Sequence, residues 1–201
     1  SMTLDGSGNI YVGGQNHIDI FSSTGTNLLA GQSWATAGHA GDPVGLPTNT
    51  SGPWALAVDS NGYIYAAQNR GAGSGNQVYQ YPPLATLTGA GSSTTPSAYL
   101  SNAAIGNPFF VWLDSSFNIY TANAVGTVVQ YAASQLVSSG QDSGAPQWTI
   151  TPSGSSWICG VMEDSQGRIY IADGGSSAGT SRVLIYASDH TTVRDTITGL
   201  S

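Results

Sequence analysis

The chain has 201 residues, a net charge of −7, four Arg, no Lys, and 40% hydrophobic residues against 7% charged ones. Four scattered cations are too few to displace the counterions of a phosphate backbone, which excludes nucleic acid and, on the same ground, an anionic membrane surface as partners. The apolar content includes ten Tyr and four Phe, enough to build a core, while 27 Gly with many Ser and Thr fit a β-rich chain full of turns.

In chain order, an apolar lead at Thr3-Leu4 runs into Asp5-Gly-Ser-Gly-Asn-Ile10-Tyr11, followed by a strand at Ile18-Asp-Ile-Phe21 and a weaker one at Asn27-Leu-Leu-Ala30. The same succession returns three times. Trp54-Ala-Leu-Ala-Val58 leads into Asp59-Ser-Asn-Gly-Tyr-Ile64-Tyr65, then Val78-Tyr-Gln-Tyr81 and Ala85-Thr-Leu-Thr88. Phe109-Phe-Val-Trp-Leu113 leads into Asp114-Ser-Ser-Phe-Asn-Ile119-Tyr120, then Val128-Val-Gln-Tyr131 and Gln147-Trp-Thr-Ile150. Cys159-Gly-Val-Met162 leads into Asp164-Ser-Gln-Gly-Arg-Ile169-Tyr170, then Val183-Leu-Ile-Tyr186 and Val193-Arg-Asp-Thr-Ile197. Alternation at period two predicts strands throughout, and no apolar run reaches the roughly 18–20 residues of a spanning helix.

The anchor Asp recurs after 54, 55 and 50 residues, a fixed unit that signals an array architecture. Four short antiparallel strands per unit, none able to bury both faces alone, predict the blades of an all-β propeller, with blades near 1–52, 53–107, 108–156 and 157–201 forming one domain. Asp-x-x-Gly-x-Ile-Tyr followed by Val-x-x-Tyr resembles the NHL repeat, and Ile119-Tyr-Thr-Ala-Asn123 is similar to the related YVTN type. The resemblance covers the whole chain and implies propeller architecture, a fold that hosts many unrelated activities. Departures are visible. Of the Asp that NHL repeats carry three residues after the Tyr, only Asp173 is present, and Gly14, Gln68 and Asn123 stand elsewhere. Phe117 replaces the turn glycine of Gly8, Gly62 and Gly167, which predicts that Asn118 takes the left-handed position.

Ser1-Met2 reads as a cloning remnant, which would place the native start elsewhere. The chain runs from a first strand to just before a fifth unit, with no overlapping closure strand. It is read as a closed four-blade ring, as a fragment of a longer array, or as half of a larger ring completed by a second copy. Flat apolar end faces argue against a free open monomer.

The anchor residues Asp5, Asp59, Asp114 and Asp164 precede turns and are expected to bind turn amides. Glu163 stands where Leu4, Val58 and Leu113 stand in the other units, so it must face a wet channel or find a partner. The spacing from second-strand Tyr to third-strand aromatic is 10, 16, 11 and 16 residues, marking inserted loops at Asn69–Asn76 and Gly174–Ser181. Loop residues Trp34, His39, Asp42, Asn69, Arg70, Trp157 and Arg182 are candidates for recognition on one face. Trp34, Trp148 and Trp157 near the connections could offer a stacking surface. Asn49-Thr50-Ser51 is a glycosylation sequon, meaningful only in a glycosylating host. Cys159, the only cysteine, permits no intrachain disulfide and is expected to be a small buried residue.

The first functional expectation is a non-catalytic binding or scaffold module, outside the cell or in a periplasm, recognising a protein, peptide or glycan without a cofactor. The resemblance to NHL repeats implies a second: a lyase or lactonase-like hydrolase using Glu163 and His39 with a divalent cation at a central channel. A third is a structural repeat segment of a longer surface protein. A homodimer completing a larger ring is compatible with the first.

Overall fold

The computed structural model describes residues 1–14, 17–28, 34–35, 51–69, 77–86, 96–138, 141–175 and 180–200. It is all-β, with four four-stranded antiparallel sheets, each built from consecutive strands. Sheet 1 holds β1 (Met2–Leu4), β2 (Ile10–Gly14), β3 (His17–Phe21) and β4 (Trp34–Ala35). Sheet 2 holds β5 (Ser51–Val58), β6 (Ile64–Asn69), β7 (Gln77–Tyr81) and β8 (Ala98–Ser101). Sheet 3 holds β9 (Pro108–Leu113), β10 (Ile119–Asn123), β11 (Val128–Tyr131) and β12 (Trp148–Ile150). Sheet 4 holds β13 (Ile158–Glu163), β14 (Ile169–Asp173), β15 (Arg182–Tyr186) and β16 (Val193–Ile197). First strands of successive sheets pack together, β1 on β5, β5 on β9 and β9 on β13, so they form the inner edge of the array. These are propeller blades.

Each sheet has a leading face towards the preceding sheet and a trailing face towards the next, because side chains alternate along a strand and cross-strand partners share a face. Tyr11, Ile18 and Ile20 on the trailing face of sheet 1 pack against Leu56, Ile64, Ala66, Tyr79 and Tyr81 on the leading face of sheet 2. Tyr65, Ala67, Val78 and Leu100 trail sheet 2 and meet Val111, Ile119, Val129 and Tyr131. Tyr120, Ala122, Val128 and Ile150 trail sheet 3 and meet Val161, Ile169, Ile171, Leu184 and Tyr186. Among the described residues, each core cluster is shared between two successive blades. The apolar surface is buried between blades, at roughly 1.5–3 kcal/mol for each large side chain taken fully from water.

The turns between first and second strands repeat one design. Oδ1 of Asp5 accepts the amides of Ser7 and Asn9, and Oδ1 of Asp59, Asp114 and Asp164 accepts the equivalent pairs. Oδ2 then accepts the hydroxyl of the Tyr six residues on, at 3.0 Å from Tyr11, 3.4 Å from Tyr65, 3.2 Å from Tyr120 and 3.1 Å from Tyr170. One carboxylate thus closes the turn and fixes the aromatic ring that fills the interface behind it. In the third turn Phe117 itself adopts φ 63°, the position held by Gly8, Gly62 and Gly167 elsewhere, and Asn118 does not. The reason is the side-chain amide of Asn118, which donates to Asp114 Oδ2 at 2.7 Å, as Asn9 does to Asp5. That bond needs the extended strand start.

The described start of the expected fourth strand of sheet 1 lies along β3, with Asn27 bridging Phe21 and the Leu28 amide donating to the Ile20 carbonyl; residues 29–30 lie outside the described residues, and β4 pairs with the start of β3. One fourth strand differs from the sequence expectation. In sheet 2, Leu84–Thr86 forms a 3-10 turn rather than a strand, because Pro83 sets its first φ and its carbonyl accepts both the amide and hydroxyl of Thr86. The strand is supplied by β8, where Tyr99 and Leu100 are buried.

Candidate binding site on the inner strands

The first strands of sheets 2, 3 and 4 each lose register with their neighbour near their start. Pairing jumps between Ser51 and Ala55 in β5, between Pro108 and Phe110 in β9, and between Ile158 and Gly160 in β13. Such bulges leave residues unpaired and turn their side chains off the sheet face. The displaced residues are Trp54, Phe109 and Cys159, each five positions before its anchor Asp. None enters an interface core. Trp54 is 47% exposed, Phe109 is half-buried, and Cys159 is exposed. The expectation of a buried Cys159 is therefore corrected: the apolar run that suggested burial contains a bulge, which shifts the residue outward.

These side chains join across blades. The ring of Phe109 meets Trp54 edge-on at 4.9 Å and stacks on Trp157 at 5.2 Å, and Trp157 is 50% exposed. A Cβ placed on Gly174 would lie 3.3 Å from Cys159 Sγ and 3.9 Å from Trp157 Cβ, so this glycine keeps the strip closely packed at its far end. The outcome is a continuous, partly exposed aromatic strip spanning three blades on the inner edge. It sits at the starts of the first strands, the end that also carries the loops between second and third strands. Trp157 was legible in the sequence as a loop aromatic. Trp54 and Phe109 were not singled out, although their shared offset from the anchor Asp is the signal that groups them.

A polar network borders the strip in sheet 4. Arg182 donates from Nε to Asp173 Oδ2 at 2.8 Å and from a terminal nitrogen to the Ser153 carbonyl at 2.6 Å. Asp173 also accepts from the Ser155 hydroxyl at 2.5 Å and the Gly175 amide at 2.9 Å. Burial alone would raise the Asp173 pKa, but these donors and the Arg182 charge outweigh it and hold the carboxyl below its usual range. Arg182 is thus tied into its own blade, where it clamps the connection before β13. Asn123 has the matching place in sheet 3, accepting the amides of Val125 and Thr127.

Glu163 ends β13 and pairs with a neighbouring blade. Tyr120 donates its hydroxyl to Glu163 Oε2 while also lying 3.2 Å from Asp114 Oδ2. Trp112 and Trp148 flank the Tyr120 ring edge-on, and His190 stacks on Trp148 at 4.5 Å. His39, Asp42 and Arg70 lie outside the described residues, while Trp34 and Asn69 are placed on β4 and β6 by their backbones. Among the described residues, no three His, Cys, Asp or Glu gather as a metal site. A separate cleft of about 660 Å³ lies between the first turns of sheets 1 and 2, with Asp5 and Asp59 on its walls. Both carboxylates accept turn amides at Oδ1 and a tyrosine hydroxyl at Oδ2.

No family profile matches the sequence, and no curated protein does. Solved structures do match. Hydrazine synthase of Kuenenia stuttgartiensis aligns with TM-score 0.65 at 8% identity, over 98% of this chain and 48% of that one. A chain of the mitotic checkpoint complex aligns with TM-score 0.61 at 10% identity, over 97% and 48%. A protein of unknown function from Bacteroides caccae aligns with TM-score 0.51 at 10% identity, over 98% and 80%. This chain spans about half the length of the first two. At such identities the likeness bears on architecture alone, and it agrees with the four stacked sheets in showing a β-propeller-like fold.

Proposed function

We propose that the protein is a non-catalytic binding module of the NHL-repeat type, acting outside the cell and recognising a polypeptide segment along the inner aromatic strip. The observation that carries this reading is the joined row of Trp54, Phe109 and Trp157, in which bulges set Trp54 and Phe109 off the sheet face and Trp157 stands just before β13. Half-exposed tryptophans lose little entropy on binding, give large contact areas, and dominate interface energetics where they occur. An exposed apolar strip is otherwise a solubility liability. The net charge of −7 favours a segment with apolar side chains flanked by Lys or Arg, drawn in by the overall field.

The test is selection of binders from a displayed random-peptide library, followed by titration against Trp54→Ala and Trp157→Ala. Selected peptides should carry aromatic or aliphatic residues with basic flanks, and each substitution should weaken binding at least about tenfold. Peptides that bind both variants as tightly as the unaltered protein would refute the assignment. So would a glycan array giving tight, strip-dependent binding where no peptide does.

A further inference from the structure

The two outermost sheet faces carry the residues of a blade–blade interface. On the leading face of sheet 1, cross-strand register sets Leu4, Ile10 and Phe21 in one row and Met2, Val12 and Asp19 in the next. On the trailing face of sheet 4, it sets Met162, Tyr170, Ile185 and, at the outer edge, Asp195 in one row, and Gly160, Ala172, Val183 and Ile197 in the next. Inside the array the same repeat positions are sealed. Ile64, Ile119 and Ile169, which correspond to Ile10, are all 0% exposed, and Tyr65 and Tyr120, which correspond to Tyr170, are 1% exposed. At the ends, Ile10 and Tyr170 are only half-buried, while Met2 is 71%, Leu4 59%, Met162 53% and Ile197 49% exposed.

We infer that these faces are the two halves of one further blade–blade interface, filled by a second copy of the chain. The trailing face of sheet 4 in one protomer packs on the leading face of sheet 1 in its partner, and the reverse contact closes an eight-blade ring about a two-fold axis. Continuity with the interior interfaces supports this occupant: a trailing face meets a leading face at every internal junction, and the free ends offer one of each. A trailing face is not complementary to itself, so simple end-to-end pairing of like faces would not reproduce that packing. Two-fold closure covers both ends at once and leaves no exposed face on which further copies could grow.

The test is the solution mass by light scattering over a wide concentration range. We expect twice the 20.5 kDa chain mass. Ile197→Asp and Leu4→Asp, each at a half-exposed end-face site, should each return the protein to single-chain mass, since the symmetry places either change in both contacts. Val125→Asp, exposed on the turn after β10 and away from both faces, should leave the dimer intact. Circular dichroism confirms that each variant is folded, and the two independent sites guard against one failing to fold. A single-chain mass for the unaltered protein would overturn the inference. Species that keep growing with concentration would overturn the two-fold closure. A dimer that survives both end-face substitutions would place the contact elsewhere.

Discussion

The hydroxyl of Tyr120 in sheet 3 donates to Glu163 in sheet 4 while lying 3.2 Å from Asp114 of its own turn. One phenolic proton serves two carboxylates. In sheet 2 the equivalent hydroxyl is better provided for: Tyr65 faces Asp59 and itself accepts from Gln80 Nε2 at 2.8 Å. Burial first, then these two carboxylates, push the Tyr120 phenol well above its ordinary range, so it stays protonated.

Glu163→Gln should therefore be tolerated or beneficial. The amide can donate to the phenol oxygen, as Gln80 does to Tyr65, and the phenol proton then belongs to Asp114 alone. Denaturant unfolding should show stability unchanged or raised by up to about 1 kcal/mol at neutral pH. A loss of more than about 2 kcal/mol would mean that the negative charge of Glu163 is itself needed.

Phe117 occupies a left-handed conformation that costs a residue with a Cβ of order 1 kcal/mol. Its three counterparts are glycines, with φ between 75° and 84°. Phe117→Gly should raise stability by roughly 0.5–1 kcal/mol, with the turn bonds of Asp114 retained. An unfolding midpoint that drops would show that ring contacts outweigh the backbone strain.

Stability should fall at both ends of the pH scale, for opposite reasons. The carboxyls of Asp5, Asp164 and Asp173 sit below their ordinary value; for each, burial alone would raise it and hydrogen bonds outweigh the burial, bringing Asp164 to about 2. A depressed carboxyl contributes fully above its unfolded value near pH 4, and the contribution is lost as pH falls through the folded value. Buried tyrosines behave in reverse: burial chiefly lifts Tyr65 to about 12, and Tyr11 and Tyr131 are raised as well. Their contribution is complete below about pH 10 and is lost as pH rises through the folded values. Thermal midpoints should be flat from about pH 5 to 9, then decline on either side. Phenolate absorbance from these buried rings should appear only above about pH 10, and full ionisation at pH 10 without unfolding would contradict the placement of the rings.

Much of the fold was legible because it is local. The anchor Asp, its turn and the Tyr six residues on form a unit whose bonds close within seven residues, so its four copies announce the blades directly. The fourth strands at Trp148–Ile150 and Val193–Ile197 were legible from their own alternation. In sheet 2 the start of the expected strand, Ala85 and Thr86, falls in the 3-10 turn that follows Pro83, and β8 takes the outer place. The candidate site was less legible still. Trp54, Phe109 and Cys159 read as ordinary first-strand residues: their shared offset from the anchor Asp groups them, but a bulge is a relation between two strands and is not spelled out in one. Phe117 shows the same limit: the bond from Asn118 to Asp114 decided which residue took the left-handed position.

Cys159 makes the central claim directly measurable, since the only thiol in the chain is exposed within the aromatic strip. The rate of its alkylation by a small maleimide should be measured in the free protein and with a saturating, library-selected peptide. Binding along the strip should slow the reaction several-fold, and Trp157→Ala should abolish the protection together with the binding. A peptide that saturates the protein while Cys159 reacts at its free rate would place recognition elsewhere and contradict the account.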